Sequence, residues 1–257
     1  MRIVIKVGTS TLAHGTGRLN IRRTELLCRV LSDIKNAGNE VILVSSGAIG
    51  MGVGKLGLTE KPTDIATKQA AAAIGQCDLM YTYDKMFSEY GQNIAQLLLT
   101  GADFKSEERH HNLHSTLHRL LALGVLPIIN ENDTVATEEI KVGDNDTLSA
   151  LVAASAEADV LVLLSDIDGL FTGDPRRDKN ATLIREVTEL TAEVMALGGD
   201  TGSSLGTGGM ATKLHAAEIA SAAGCDMVIA NGENPDILYD IIAGGDVPCT
   251  RFPGKKK

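Results

Sequence analysis

The sequence predicts an α/β protein, a three-layer α/β/α sandwich around a mostly parallel sheet. Three observations carry that expectation. Short apolar runs alternate with longer stretches of helical periodicity, the signature of parallel strands joined by crossover helices. The order argues helices covering both faces of the sheet, and the run 160–164 is strongly apolar, as a strand buried on both faces is. Glycine follows the periodic stretches at Gly38, Gly91, Gly124 and Gly224, where helices commonly end.

The first strand is the run Ile3, Val4, Ile5. Leu26, Leu27, Val30, Leu31 and Ile34 stand at helical spacing within residues 24–37, and residues 41–44 form the second strand. Pro62, Thr63 and Asp64 open a long helix running towards Tyr90. Residues 94–99 are the third strand, 107–123 a helix, and 125–129 the fourth strand. A helix over 146–156 leads to the strongly apolar strand 160–164. Helix 210–223, strand 227–230 and helix 235–242 complete the order. No internal repeat or low-complexity linker interrupts it. The expected organisation is one domain over 1–257, with a lobe over about 1–157 and a second over about 158–257, the boundary lying near Ala158.

Composition narrows the function. A net charge of −9 and a pI near 5.2 argue against a non-specific nucleic-acid binder. Aromatics at 3% with no Trp leave few stacking platforms for single strands. Cys28, Cys77, Cys225 and Cys249 are far apart, without disulfide or zinc spacing. No apolar run approaches membrane-span length, and the N-terminus opens into a strand-like run containing Lys6, unlike a signal peptide. The expectation is a soluble, cytoplasmic protein without membrane or nucleic-acid partners.

Ligands of parallel sheets bind beyond the carboxyl ends of the strands, so the residues there matter most. The first strand is followed by Gly8, Thr9 and Ser10, the second by Ser45, Ser46, Gly47, Ala48, Ile49 and Gly50. The fourth runs into Asn130, Glu131, Asn132 and Asp133, and then Gly143, Asp144, Asn145 and Asp146; the strand from Val160 ends in Ser165 and Asp166. Any one such loop suits ordinary turn chemistry; five together suggest a site. Lys6, inside an apolar strand, either snorkels to solvent or aims its charge at an anion beside the Gly8 turn. Gly206, Thr207, Gly208 and Gly209 precede a helix with Lys213 one turn inside. Helix amides, dipole and ammonium would there converge on a phosphate. This is not a Walker A loop, and the G-x-G-x-x-G match at 52–57 starts too far past its strand to read as a dinucleotide fingerprint.

The carboxylates Asp133, Asp144, Asp146 and Asp166 could hold a ligand ammonium or organise lysines and magnesium. His110, His114 and His118 stand at i, i+4, i+8 on one helix and could bind a transition metal. A polar helix face is the preferred reading, since no carboxylate motif accompanies them; no residue is assigned as a metal ligand.

With these blocks in view, the chain resembles the amino acid kinase family, from Ile3 to about Ala243. The resemblance rests on Ile5-Lys6-Val7-Gly8-Thr9-Ser10, Ser45-Ser46-Gly47-Ala48-Ile49, Ile129-Asn130-Glu131-Asn132-Asp133, Lys141-Val142-Gly143-Asp144-Asn145-Asp146 and Gly206-Thr207-Gly208-Gly209-Met210-Ala211-Thr212-Lys213. The N-E-N-D and K-V-G-D-N-D blocks single out the branch acting on free L-glutamate; aspartokinase, acetylglutamate kinase and uridylate kinase are not expected to carry them. The resemblance implies transfer of the ATP γ-phosphoryl group to the glutamate side-chain carboxylate, the first step of proline synthesis. It implies Lys6, Lys213 and Asp146 as catalytic residues and Ser46, Asp133 and Asn145 as glutamate ligands. ATP would meet Lys6, Gly8, Ser165, Asp166, Thr207, Gly208, Gly209, Met210, Ala211, Thr212 and Lys213, with Mg2+ held mainly through its phosphates. Gly8 and Gly47 would donate backbone N–H groups. Feedback inhibition by proline, a homo-oligomer and hand-over to a glutamyl phosphate reductase are implied as well. Many members carry a C-terminal PUA domain; the chain stops at Lys257, so a kinase-domain-only form is expected. Another acceptor within the family, a non-catalytic sensor on the same fold, or a dehydrogenase using residues 52–57 are the alternatives. Retention of both Lys6 and Lys213 argues against the sensor.

Overall fold

A computed structural model describes residues 1–14, 18–60, 62–137, 142–199 and 209–255. The order is β1 (Arg2–Val7), α1 (Thr9–Leu12), α2 (Ile21–Asn36), β2 (Glu40–Ser45), α3 (Ala48–Leu56), α4 (Ile65–Ser88), β3 (Ile94–Leu99), α5 (Gly101–Lys105), α6 (Glu107–Ala122), β4 (Leu126–Glu131), α7 (Asn145–Ser155), β5 (Val160–Ser165), α8 (Ala192–Ala196), α9 (Met210–Ala222), β6 (Asp226–Asn231), α10 (Ile237–Ile242) and β7 (Cys249–Phe252).

The strands form one sheet in the order β3-β4-β2-β1-β5-β6-β7. Every pairing is parallel except β6 with β7. β1 is central, with Lys6 in register with Val44 on β2 and Leu163 on β5. The chain leaves β1 towards β2 on one side and returns to β5 on the other. That reversal opens a crevice at the carboxyl ends of β1 and β5, where ligands of such sheets bind.

Alternation along the strands sorts the core into two layers. Ile3, Ile5 and Val7 pack with Leu27 and Leu31 of α2, Leu79, Tyr83 and Phe87 of α4, and Leu238 and Ile241 of α10. Val4 lies with Leu113 and Leu117 of α6, Leu148 and Val152 of α7, and Leu214 and Ala217 of α9. Lys6 has the parity of Val4 and therefore points into the α7–α9 layer. Among the described residues, no helix is long and apolar enough to cross a membrane.

Several expectations need correction. α2 begins at Ile21, because the Asn20 side chain accepts a hydrogen bond from the Arg23 backbone at 3.1 Å and starts the helix early. β4 continues through Asn130 and Glu131, which the sequence reading places in the following loop; both are buried. β7, absent from the reading, adds the antiparallel edge. Residues 48–56 are helical although they hold three glycines, which lower helix propensity. Packing explains α3: a Cβ on Gly52 would stand 1.8 Å from the Ala71 carbonyl oxygen, and one on Gly75 1.8 Å from that of Ala48. Glycine lets α3 and α4 touch backbone to backbone. The G-x-G-x-x-G match thus lies on this helix and its C-cap, Gly57.

Candidate active site

Lys6 of β1 and Thr212 and Lys213 of α9 converge on one carboxylate. Asp146 occupies the second position of α7, where the amino-terminal helix dipole favours an anion. Lys6 Nζ reaches its Oδ1 at 2.7 Å and Lys213 Nζ its Oδ2 at 3.0 Å. The Lys6 contact is a close ion pair off the axis of an aligned hydrogen bond. Thr212 Oγ1 donates to the same Oδ2 at 2.8 Å. All three charged residues are buried. Burial alone would raise the Asp146 carboxyl, but the Lys6 and Lys213 ammoniums outweigh it and hold the pKa at about 2. Two cations on one anion leave the cluster one unit positive, in a place where charge is poorly screened. Such a cluster attracts a further anion. Gly8 borders it, with Lys6 Nζ 3.5 Å from where a Cβ would stand.

The neighbours of Asp146 explain the D-N-D block. Asp144 caps α7, accepting from the Thr147 backbone N–H at 2.7 Å and from its hydroxyl at 2.9 Å. Asn145 turns the other way. Its Nδ2 donates to Ser46 Oγ at 2.7 Å, Asn130 Oδ1 at 3.1 Å and the Ser45 carbonyl at 3.2 Å. Three consecutive residues thus serve a cap, a polar pocket and a cation clamp.

Asn130 and Gln76 extend the pocket beyond what the sequence reading named. The Asn130 Oδ1 accepts from the Glu131 backbone N–H at 2.9 Å, so its Nδ2 must be the group donating to Gln76 Oε1, also at 2.9 Å. That fixes the Gln76 amide, and its Nε2 is left buried without a partner. Glu131 Oε1 accepts from the Val142 backbone N–H at 2.6 Å, tying the end of β4 to the segment before α7. Asp133 lies half-buried two residues beyond β4. Ser45 Oγ and the Tyr83 hydroxyl are hydrogen-bonded at 2.8 Å. Gly47 stands at φ 107°, a left-handed conformation that glycine adopts freely, and starts α3. The signal for Gln76 was a glutamine on an alanine-rich helix face, next to a glycine.

On the other side of the crevice, Ser165 ends β5 and is buried. Asp166 is exposed and accepts from Arg176 Nη2 at 2.9 Å. Burial would raise its carboxyl, and the hydrogen bond from Arg176 turns the balance downward. Gly209 caps α9, whose first turn carries Met210, Ala211 and Thr212. Thr207, Gly208 and Lys141 lie outside the described residues. Asp144 is engaged by the cap and Asp146 by two lysines.

The amino acid kinase family profile matches residues 1–231. Glutamate 5-kinase of Clostridium perfringens is 51% identical, over 99% of this chain and 96% of that protein. Glutamate 5-kinase of Clostridium acetobutylicum is 55% identical, over 94% and 90%. That of Caldanaerobacter subterraneus is 54% identical, over 99% of this chain and 68% of the relative. Among solved structures, carbamate kinase from Giardia lamblia bound to AMP-PNP superposes with a TM-score of 0.68 at 18% identity, covering 99% and 98% of the chains. UMP kinase from Ureaplasma parvum gives 0.67 at 14% identity, covering 98% of each. At those identities the solved structures speak to the fold, which they share with this chain.

Proposed function

The chain belongs to the amino acid kinase family, and from that premise we propose that it transfers the γ-phosphoryl group of ATP to the side-chain carboxylate of L-glutamate. The products are L-glutamyl 5-phosphate and ADP. The observation that carries this reading is the pair of buried lysines held on opposite oxygens of Asp146, at the sheet edge shared by the acceptor pocket and the β5–α9 side.

The chemistry suits these residues. The attacking carboxylate has a reference pKa of about 4.3 and is ionised at neutral pH, so no general base is needed. The work is to align two anions and neutralise the charge spread over the transferring phosphoryl oxygens. Lys6 and Lys213 supply fixed positive charge, and Asp146 keeps both ammoniums in place before substrate arrives. Backbone N–H groups at Gly8 and Gly47 would share the phosphoryl oxygens.

Asp133 would pair with the α-ammonium, while Ser46 and Asn145 would hold the rest of the amino acid. Ser165, Asp166, Thr207, Gly208 and the start of α9 would hold ATP. Mg2+, bound through the nucleotide phosphates, would add charge neutralisation. The two-lobe division near Ala158 follows the same split of acceptor and nucleotide. Proline inhibition, a homo-oligomer, hand-over to a glutamyl phosphate reductase and a cytoplasmic location complete the proposal, supported by the family resemblance. A coupled assay of ADP release tests it. Release should depend on L-glutamate, and turnover indifferent to glutamate would overturn the reading.

A further inference from the structure

The histidines of α6 lacked a carboxylate in the sequence; the fold provides one. Glu157 lies in the turn between α7 and β5. One oxygen of its carboxylate and one ring nitrogen each of His114 and His118 all lie within 4.8 Å of one another. The two rings are 4.1 Å apart between centroids and tilted by 32°. His118 Nε2 is buried and has no hydrogen-bond partner. His110, by contrast, uses its Nε2 on Ser155 Oγ at 2.8 Å. Among the described residues, Glu157 is the one non-glycine residue at positive φ, 52°.

We propose that His114, His118 and Glu157 form a binding site for a divalent transition-metal ion, zinc foremost. Two imidazoles one helical turn apart and a carboxylate are a borderline-soft donor set, suited to zinc, nickel or copper rather than to magnesium or calcium. Three protein ligands leave a fourth position to water. Drawing the donor atoms to metal–ligand distances of about 2.0–2.2 Å asks for side-chain rotation of half-buried His114 and exposed Glu157. The nearby guanidinium of Arg2 is compensated by Glu40, which it meets at 2.8 Å.

The position defines the role. Glu157 precedes β5, so the site sits at the amino-terminal edge of the sheet, opposite the Lys6–Asp146–Lys213 cluster. A metal there would staple α6 to the α7–β5 turn, alongside the His110–Ser155 bond, and would stabilise the fold without entering catalysis.

The test is calorimetric titration of zinc chloride, and of magnesium chloride, into the chelator-stripped full chain, with melting temperature as second readout. One zinc per chain is expected, with a raised melting temperature that magnesium does not reproduce. His118→Gln, His114→Ala and the exposed Glu157→Gln should each weaken binding at least about tenfold, since even outer-shell partners of a metal are worth that much. His111→Ala, on the same helix, should leave it unchanged. Zinc that fails to bind stoichiometrically, or binds equally to Glu157→Gln and His114→Ala, would overturn the proposal.

Discussion

Lys6 and Lys213 grip opposite oxygens of a single buried carboxylate, one ammonium arriving from the central strand and the other from a helix two hundred residues later. The shared partner is Asp146, at 2.7 and 3.0 Å. Neither lysine could stay charged and buried alone at tolerable cost. The shared carboxylate therefore brings the two ends of the chain together at the site.

Asp146→Asn should destabilise the protein and change its acid response. Removing one partner of a buried ion pair costs about 3–5 kcal/mol. In the wild type, the Asp146 pKa falls from 3.8 unfolded to about 2 folded. A depressed carboxylate stabilises above its unfolded pKa, and that contribution, about 2 kcal/mol, is lost as pH drops from about 4 through 2. Denaturation at pH 6 and pH 2.5 measures it. The variant should lack this component of the acid loss.

Lys213→Ala should keep the fold and lower kcat by on the order of a hundredfold or more, the usual cost of a preorganised charge at a developing anion. Steady-state kinetics beside a circular dichroism melt separate the two effects. Turnover within a few-fold of wild type would remove Lys213 from the catalytic role.

Gln76→Leu keeps the bulk of the side chain and removes its amide. Asn130 loses its acceptor, and an unpaired buried donor costs about 1–3 kcal/mol. The KM for glutamate should rise roughly tenfold, with the KM for ATP little changed. Equal changes in both would separate Gln76 from the acceptor pocket.

Gly75→Ala should lower stability by about 1–3 kcal/mol or more, because its Cβ would collide with the Ala48 carbonyl at 1.8 Å. A methyl at Gly91, with nothing within 4 Å but φ +67°, tests conformational strain alone. Thermal melts of the two should show the larger loss at Gly75.

Much of this molecule is legible in the sequence where information is local. Ile94–Leu99 is read to the residue because a mostly apolar run, broken only by Gln96, stands between clear turn signals. Lys6 and Lys213 stand out because charge interrupts an apolar pattern. α3 is missed because its glycines count against a helix in isolation, and only the approach of α4 makes them favourable. Asn130 and Glu131 look like a loop because polar residues at a strand end look the same whether they face water or a binding pocket. Gln76, a glutamine beside a glycine on an alanine-rich helix, is a weak signal for a related reason: its meaning lies in Asn130, fifty-four positions away. Glu157 becomes a partner for His114 and His118 only when α6 and α7 pack side by side.

The central claim is that the acceptor is L-glutamate with its ammonium free. The direct measurement is kcat/KM for L-glutamate, N-acetyl-L-glutamate and glutarate at fixed MgATP. The proposed site, with Asp133 on the ammonium and Asn145 and Ser46 around the rest, would reject an analogue lacking that group, because its own polar atoms would go unpaired. L-glutamate should be preferred over both analogues by orders of magnitude. A preference for glutarate or for the N-acetylated acceptor would contradict the account.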